Sequence, residues 1–297
     1  SVVALRDGRM DRIDLHTHST ASDGSMTPTE LVRHAKASGL RAMALSDHDT
    51  VDGVDEAMAA GRESGIEVIP AIELSAVSAT ETHILGYFID PHAPSLTSAL
   101  GRIRAIRVER LTETCGMLRD HGIDVSIDEV RAIAGGGVLC RAHIARIMTD
   151  KGYAASPRDA FNRWLNVGCP CYSETQAITD EEAISLIRSA GGDAYLAHLH
   201  LTKLPDDELD AFVTRLASAG LSGIEGYYTD YTADMAEKYR ALAKKYGLAI
   251  SGGTDFHGSF KPHIAIGRGL GNMEIPYTVL AEMKKRHNDT HTRRENQ

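Results

Sequence analysis

Cysteine is scarce. The 297 residues hold four, Cys115, Cys140, Cys169 and Cys171, spaced neither as a zinc ribbon nor as a disulfide framework. Cys169-Pro170-Cys171 is one residue short of the usual redox spacing, so reduced structural thiols are expected. Long apolar runs are absent. None approaches the ~20 residues that a membrane span needs, and the N-terminus lacks the apolar core of a secretion signal. The expectation is therefore a cytoplasmic location and no membrane partner. Positive charge is in deficit as well. A formal net charge of -9 argues against a broad basic surface for long nucleic acid, but leaves room for local cations around a small anionic substrate. Internal repeats and low-complexity tracts are missing too.

What remains is an ordinary globular composition, 42% hydrophobic and 25% charged, long enough for one large α/β domain or two smaller ones. Strand-like runs are predicted at residues 12–15, 41–46, 67–73, 82–88, 193–197, 223–226 and 248–251. Helical patterns separate most of them, but the link between the third and fourth is too short for a helix. Thr27 with Glu30, and Thr179 with Glu182, read as capping boxes, and Pro28 suits a first helical position. From 95 to 190 the pattern is helical throughout, with a glycine hinge at 135–137 and a break at Pro170. The fold class expected is α/β: a distorted seven-stranded (β/α) barrel with a helical insertion between strands four and five. The barrel would occupy residues 10–94 and 191–284, the insertion 95–190, and a polar tail 285–297 would fray.

Fourteen histidines is a high count, and several fall at predicted strand ends. Side chains alternate on a strand, so His16 and His18 point the same way and form a nitrogen pair for a first-row divalent metal. Alone, such a pair reads rather as two ordinary histidines. Its company decides: His48 after strand two, Glu73 ending strand three, His83 on strand four, His198 ending strand five, Asp255 and His257 after strand seven. In barrels of parallel strands such positions converge on one mouth.

Asp47 and Asp49 flank His48, either orienting imidazoles or serving as turn charges. Arg104, Arg107 and Arg110 share one helix face, either gripping an anion or pairing with Glu109 and Glu113. Arg141 and His143 follow the glycine hinge near a helix start, a geometry suited to a phosphate clamp. Lys203 could also reach a phosphate. Tyr227, Tyr228, Tyr231 and Phe256 could stack on a base or simply pack.

The segments HTHSTASDG, ALSDHDT, AIELS, HILGY, AHL and GGTDFH together resemble the PHP (polymerase and histidinol phosphatase) family. Closest in kind are its stand-alone phosphoesterases with a helical insertion, notably the bacterial 3',5'-nucleotide bisphosphate phosphatases. That resemblance implies three divalent metal ions, of manganese, zinc or iron. One would take His16, His18, Glu73 and Asp255; a second Glu73, His83 and His198; a third Asp23, His48 and His257. It further implies a hydroxide held by the metals of Glu73 and Asp255, with His143 or the third ion helping the leaving oxygen depart. Asp23, His48, Arg104, Arg107, Arg141 and His143 would hold a small nucleotide.

Two positions depart from the family pattern. Leu199 replaces the proline after His198, which leaves His200 as a rival ligand, and Ala142 replaces the proline between Arg141 and His143. The activity implied is hydrolysis of the 3'-phosphate of nucleoside 3',5'-bisphosphates to the 5'-monophosphate. A 5'-to-3' exoribonuclease on short oligonucleotides, a binuclear amidohydrolase and a non-catalytic metal-binding module are the alternatives. Histidinol phosphate is disfavoured, because those enzymes carry histidine where Asp23 stands.

Overall fold

The computed structural model describes residues 5–6, 9–77, 80–174 and 178–295. Strands β1 (Leu5–Arg6) and β2 (Arg9–Met10) form a short antiparallel hairpin. The main sheet holds β3 (Arg12–Asp14), β4 (Leu40–Leu45), β5 (Glu67–Val77) and β6 (Glu81–Tyr87). It continues with β7 (Asp193–Leu196), β8 (Gly223–Tyr228) and β9 (Ala249–Gly253), seven strands in sequence order. Neighbours run parallel except β6, which is antiparallel to both β5 and β7. Between β9 and β3 the ends are drawn together where Leu15 N donates to Gly252 O at 3.1 Å. The sheet is thus a nearly closed barrel with helices around it, as the seven predicted strands implied.

One strand runs further than expected. β5 pairs with β6 from Ala71 to Val77, so Glu73 lies inside a strand and not at its end. The antiparallel partner continues the ladder after β4 has stopped, which the short 3–4 link permits.

Helices α1 (Pro28–Ala37) and α2 (Val54–Ser64) cover β4, burying Leu31, Val32 and Ala57 against Met43 and Leu45. The Thr27–Glu30 capping box forms with Pro28 in the first turn. Inside the barrel, Tyr87 and Tyr195 meet edge-on at 5.1 Å, and Tyr87 donates its hydroxyl to Leu15 O at 2.9 Å, satisfying a polar tip in an apolar interior.

The insertion begins with α3 (Pro94–Asp120) and continues through α4 (Ile127–Ala134), α5 (Arg141–Asp150) and the short α6 (Pro157–Ala160). A separate apolar cluster holds it together, built from residues 111–171 and including Leu118, Val130, Ile144 and Leu165. Although the helical stretch reaches 190 in sequence, α7 (Asp180–Ser189) packs with the barrel: Ile184 and Ile187 share a cluster with Ile72, Ile84 and Leu196. Then α8 (Asp206–Ser218) and α9 (Ala233–Lys245) complete the outer layer.

α10 (Tyr277–Glu295) runs through the segment expected to fray; residues 296–297 lie outside the described residues. It is pinned to the barrel base, where Asp193 meets His287 Nδ1 at 2.9 Å and His291 Nε2 donates to Gly191 O at 2.7 Å. These two histidines hold the terminal helix in place.

Where β9 crosses β3 the backbones nearly touch. A Cβ on Gly253 would lie 2.2 Å from His16 Cβ and 2.4 Å from its backbone nitrogen. On α3, by contrast, a Cβ on Gly101 meets nothing within 4 Å. Gly253→Ala is expected to lower the urea midpoint by about 1–3 kcal/mol equivalent, whereas Gly101→Ala should stabilise by about 0.5–1 kcal/mol. Equilibrium unfolding of both variants tests this.

Candidate metal centre

A buried carboxylate sets the floor of the site. Asp14 accepts from Thr254 N at 3.0 Å, Thr254 Oγ1 at 2.6 Å and Gly267 N at 2.8 Å. Those bonds tie the end of β3 to the segment after β9. Backbone pairing continues the tie: Asp255 N donates to His16 O at 2.9 Å, and His18 N to Phe256 O at 2.9 Å. Two segments 240 residues apart in sequence therefore lie side by side, with His16 and His18 beside Asp255 and His257.

Glu73 stands at the centre, fully buried. Its Oε2 lies 3.2 Å from His16 Nε2, 3.2 Å from His18 Nε2 and 3.2 Å from His48 Nδ1. Its Oε1 lies 2.8 Å from His83 Nδ1 and 3.1 Å from His198 Nε2. Asp255 Oδ1 sits 3.1 Å from His18 Nε2 and 3.6 Å from His16 Nε2. On the outer side, Asp23 Oδ1 is 3.2 Å from His257 Nε2, and Asp23 Oδ2 is 3.8 Å from His48 Nε2. Burial alone would raise the Glu73 carboxyl, but His48, His16 and His83 hold it well below the usual carboxylate range. For Asp255 burial is likewise opposed, here by Lys261 and His257.

These atoms suit metal better than each other. His16 Nδ1 meets Glu225 Oε1 at 2.7 Å, which leaves the lone pair of Nε2 aimed at the Glu73 carboxylate. Acceptor facing acceptor in a buried site calls for a cation between them. Among the described residues, His16 Nε2, both nitrogens of His18, His48 Nδ1 and Glu73 Oε2 are buried without a hydrogen-bond partner. Three groups could hold an ion: His18, Asp23, His48 and His257; His16, His18 and Asp255; His48, Glu73 and His83. Mixed imidazole and carboxylate donors fit manganese, zinc or iron.

Of the two rival histidines, His198 reaches Glu73, while His200 turns away to the rings of Tyr228 and Tyr231. Burial, followed by the influence of His198, pushes the His200 imidazole down to about 4.

Several expected roles do not survive the geometry. Asp47 and Asp49 touch no imidazole. Asp47 instead gathers the loop that carries Asp23, accepting from Ser19 N at 2.8 Å, Ser19 Oγ at 2.7 Å and Ser22 Oγ at 2.6 Å. Asp49 takes Arg107 Nε at 2.9 Å and Ser75 N at 2.9 Å.

Within the arginine stripe, Arg107 lines the cavity but is occupied by Asp49, and Arg104 turns outward to Asp52 at 3.2 Å and does not line it. The i, i+3 spacing fixes a helix face but not its partners, which along α3 run from Asp52 through Asp49 to Tyr172. His143 is not among the cavity-lining residues either: its Nδ1 accepts from Cys140 N at 3.0 Å and caps α5. Arg141 does line the cavity, with its NH2 2.5 Å from Glu81 Oε1. None of the four aromatics lines the cavity. Tyr228 and Tyr231 are buried with their hydroxyls engaged, Tyr227 lies under Arg240, and Phe256 packs on His34.

Sequence reasoning missed Glu225, Asp14, Glu81 and Lys261. Glu225 fixes two histidines at once, through His16 Nδ1 and through His198 N, which donates to its Oε2 at 2.7 Å. A signal was present: a lone acid in the apolar run of β8 must find partners once buried. Asp14, inside the RIDLHTH segment, could have been read the same way. Lys261 carries no such signal.

Known proteins with this arrangement extend the picture. Residues 14–100 match the PHP domain. A 5'-3' exoribonuclease of Haemophilus influenzae is 36% identical over 83% of this chain and 90% of its own. A 3',5'-nucleoside bisphosphate phosphatase of Chromobacterium violaceum is 34% identical over 89% of this chain and 92% of its own.

Among solved structures, an amidohydrolase of Chromobacterium violaceum superposes with a TM-score of 0.83 at 32% identity, covering 93% of this chain and 96% of its own. A metal-dependent phosphoesterase of Bifidobacterium adolescentis gives 0.80 at 29% identity, covering 92% and 96%. The fold and the clustered donors define a metal-dependent phosphoesterase. The chain belongs to the PHP family.

Glu225→Gln keeps the shape but replaces one acceptor oxygen with a donor. It is expected to weaken divalent-metal affinity by about 10–100-fold, measured by chelator competition, with circular dichroism unchanged.

Proposed function

We propose that this enzyme removes the 3'-phosphate from nucleoside 3',5'-bisphosphates. The observation that carries the reading is a cavity of about 540 Å³ with the metal-capable cluster at one end and cations on its walls. That volume suits a mononucleotide. His48, Glu73, His83, His198, Asp255 and His257 border it from the barrel, and Arg110 and Arg141 from the insertion. A substrate with two phosphates could place one at each.

Three divalent ions, manganese first among them, would be held by the residues described above. Bound there, such ions lower the pKa of water and neutralise charge developing on phosphoryl oxygens. The chain's own contribution is positioning. Glu73 presents its two oxygens to different histidines, which supports separate ion positions spaced by one rigid carboxylate. Glu225 fixes the His16 tautomer, and Tyr228 donates to Asp255 Oδ2 at 2.9 Å. At the insertion wall, Arg110 NH2 lies 3.2 Å from Tyr172 OH and Arg141 NH1 2.9 Å from Leu165 O. Each guanidinium has five N–H donors, so both retain donors for a distal phosphate.

A second reading is 5'-to-3' exonuclease action on short RNA, favoured by the Haemophilus influenzae relative of that name. Both readings place a phosphoester at the same cluster and differ in the group attached beyond the sugar. The metal-loaded protein should be assayed with adenosine 3',5'-bisphosphate, 3'-AMP, 5'-AMP and a short oligonucleotide. The bisphosphate is expected to give the highest kcat/KM. Preference for either monophosphate overturns the reading, and processive mononucleotide release from the oligonucleotide at higher kcat/KM supports the second one.

A further inference from the structure

We infer that Lys261 is a catalytic residue whose ammonium hydrogen-bonds the phosphoryl group being cleaved. This rests on the reading that a phosphoester is hydrolysed at the Glu73 cluster, but not on the identity of the alcohol released.

Most cations around the cavity are already engaged. Arg107 gives Nε and NH2 to Asp49, NH2 also to Ser75 Oγ at 2.6 Å, and NH1 to Leu139 O at 3.4 Å. It neutralises a barrel carboxylate. Arg141 is held by Glu81, and Arg110 by Tyr172 and Ser173 on the insertion side. Lys203 lines the cavity from the turn after β7 and touches none of the clustered carboxylates. Lys261 differs from all four. Its Nζ donates to Asp255 Oδ2 at 2.8 Å, the same carboxylate whose Oδ1 faces His16 and His18. An ammonium has three donors, and Asp255 takes one. The side chain lines the cavity and is 35% exposed, so the other donors have open space beside the cluster.

The segment that carries Lys261 is rigidly placed. Lys261 N donates to Gly258 O at 3.2 Å, closing a turn in which Gly258 has φ +67°. Ser259 N donates to Ser25 Oγ at 2.8 Å, and Ser25 N to His257 O at 3.1 Å. These bonds lock the turn to the loop that carries Asp23. From the insertion, the Arg146 guanidinium lies 4.2 Å over the Phe260 ring, clamping the neighbouring residue between barrel and cap. A cation fixed on both sides reorganises little when charge builds on a phosphoryl oxygen, and this makes a preorganised donor effective. No proton needs to leave Lys261: the ammonium acts as charge and donor throughout.

Because Lys261 also touches Asp255, a purely positioning role must be separated from a direct one. Lys261→Met and Lys261→Arg are prepared in the full chain and loaded with manganese. Four quantities are measured for each: metal affinity by chelator competition, the inhibition constant of inorganic phosphate, and kcat and KM on the best substrate found. Lys261→Met should weaken phosphate inhibition at least about tenfold and cut kcat by about 10²-fold at saturating manganese, whatever change in metal affinity follows the loss of its bond to Asp255. Lys261→Arg should recover part of both losses.

The inference is overturned if phosphate inhibits Lys261→Met as strongly as the parent. It is equally overturned if the loss of activity is matched by a loss of metal and disappears at saturating manganese. Inorganic phosphate is a product of any phosphomonoesterase, so its inhibition reports on Lys261 even if the preferred substrate is not a bisphosphate.

Discussion

One carboxylate, Glu73, has five imidazoles within 3.2 Å and no solvent. A charge buried in that way is costly unless it is compensated, so the chain must bring partners from everywhere at once. They come from four places: His16 and His18 after β3, His48 after β4, His83 from β6 and His198 after β7. A closed barrel is the arrangement that allows this, because strand ends far apart in sequence meet at one rim. The antiparallel β6 is part of the same requirement. By pairing with β5 from Ala71 to Val77 it carries His83 alongside Glu73, two residues from it in the ladder, where Ser75 is paired with His83.

Convergence of that kind strains the backbone. Asp255 has φ 59°, His198 φ 27° and Asp49 φ 51°, values that residues with a side chain rarely adopt. All three border the cavity. Such conformations persist where the surroundings over-determine them, and here the restraint is visible. Glu225 holds His198 N, Tyr228 and Lys261 hold the Asp255 carboxylate, and Asp49 is clamped between Arg107 and Ser75 N. The residues around the centre thus orient the donors and also keep their backbone in place.

This division explains what could be read from the sequence. The donors were legible because histidine and acid at strand ends have few other reasons to recur, and because the HTHSTASDG and GGTDFH segments are ordered motifs. The barrel was legible from seven short apolar runs with helices between. Glu225 and Asp14 left a fainter trace, an acid in an apolar strand that calls for a partner without saying which, and Lys261 left none. The arginine stripe misled for a related reason. Spacing along α3 says which residues share a face, but only packing decides that Arg104 meets Asp52 away from the cavity while Arg107 meets Asp49 beside it. His143 failed likewise, because its capping bond to Cys140 N is a local backbone demand that mimics a functional position.

The insertion and the barrel are joined by the same side chains that wall the cavity. Arg107 pairs with Asp49 and Arg141 with Glu81, each uniting an insertion helix with a barrel segment. Removing one partner from a buried pair leaves an uncompensated charge, at a cost of about 3–5 kcal/mol. An incoming phosphate therefore cannot simply take either arginine away from its carboxylate. It must add to the pair, using the N–H donors that the carboxylate leaves free. That constraint favours a ligand whose distal anion approaches from inside the cavity, end-on to guanidinium groups already oriented, and it disfavours a polyanion that would need several cations at once. Under the proposed function, the paired arginines and the scarcity of unpaired positive charge act together in favour of a small phosphorylated substrate.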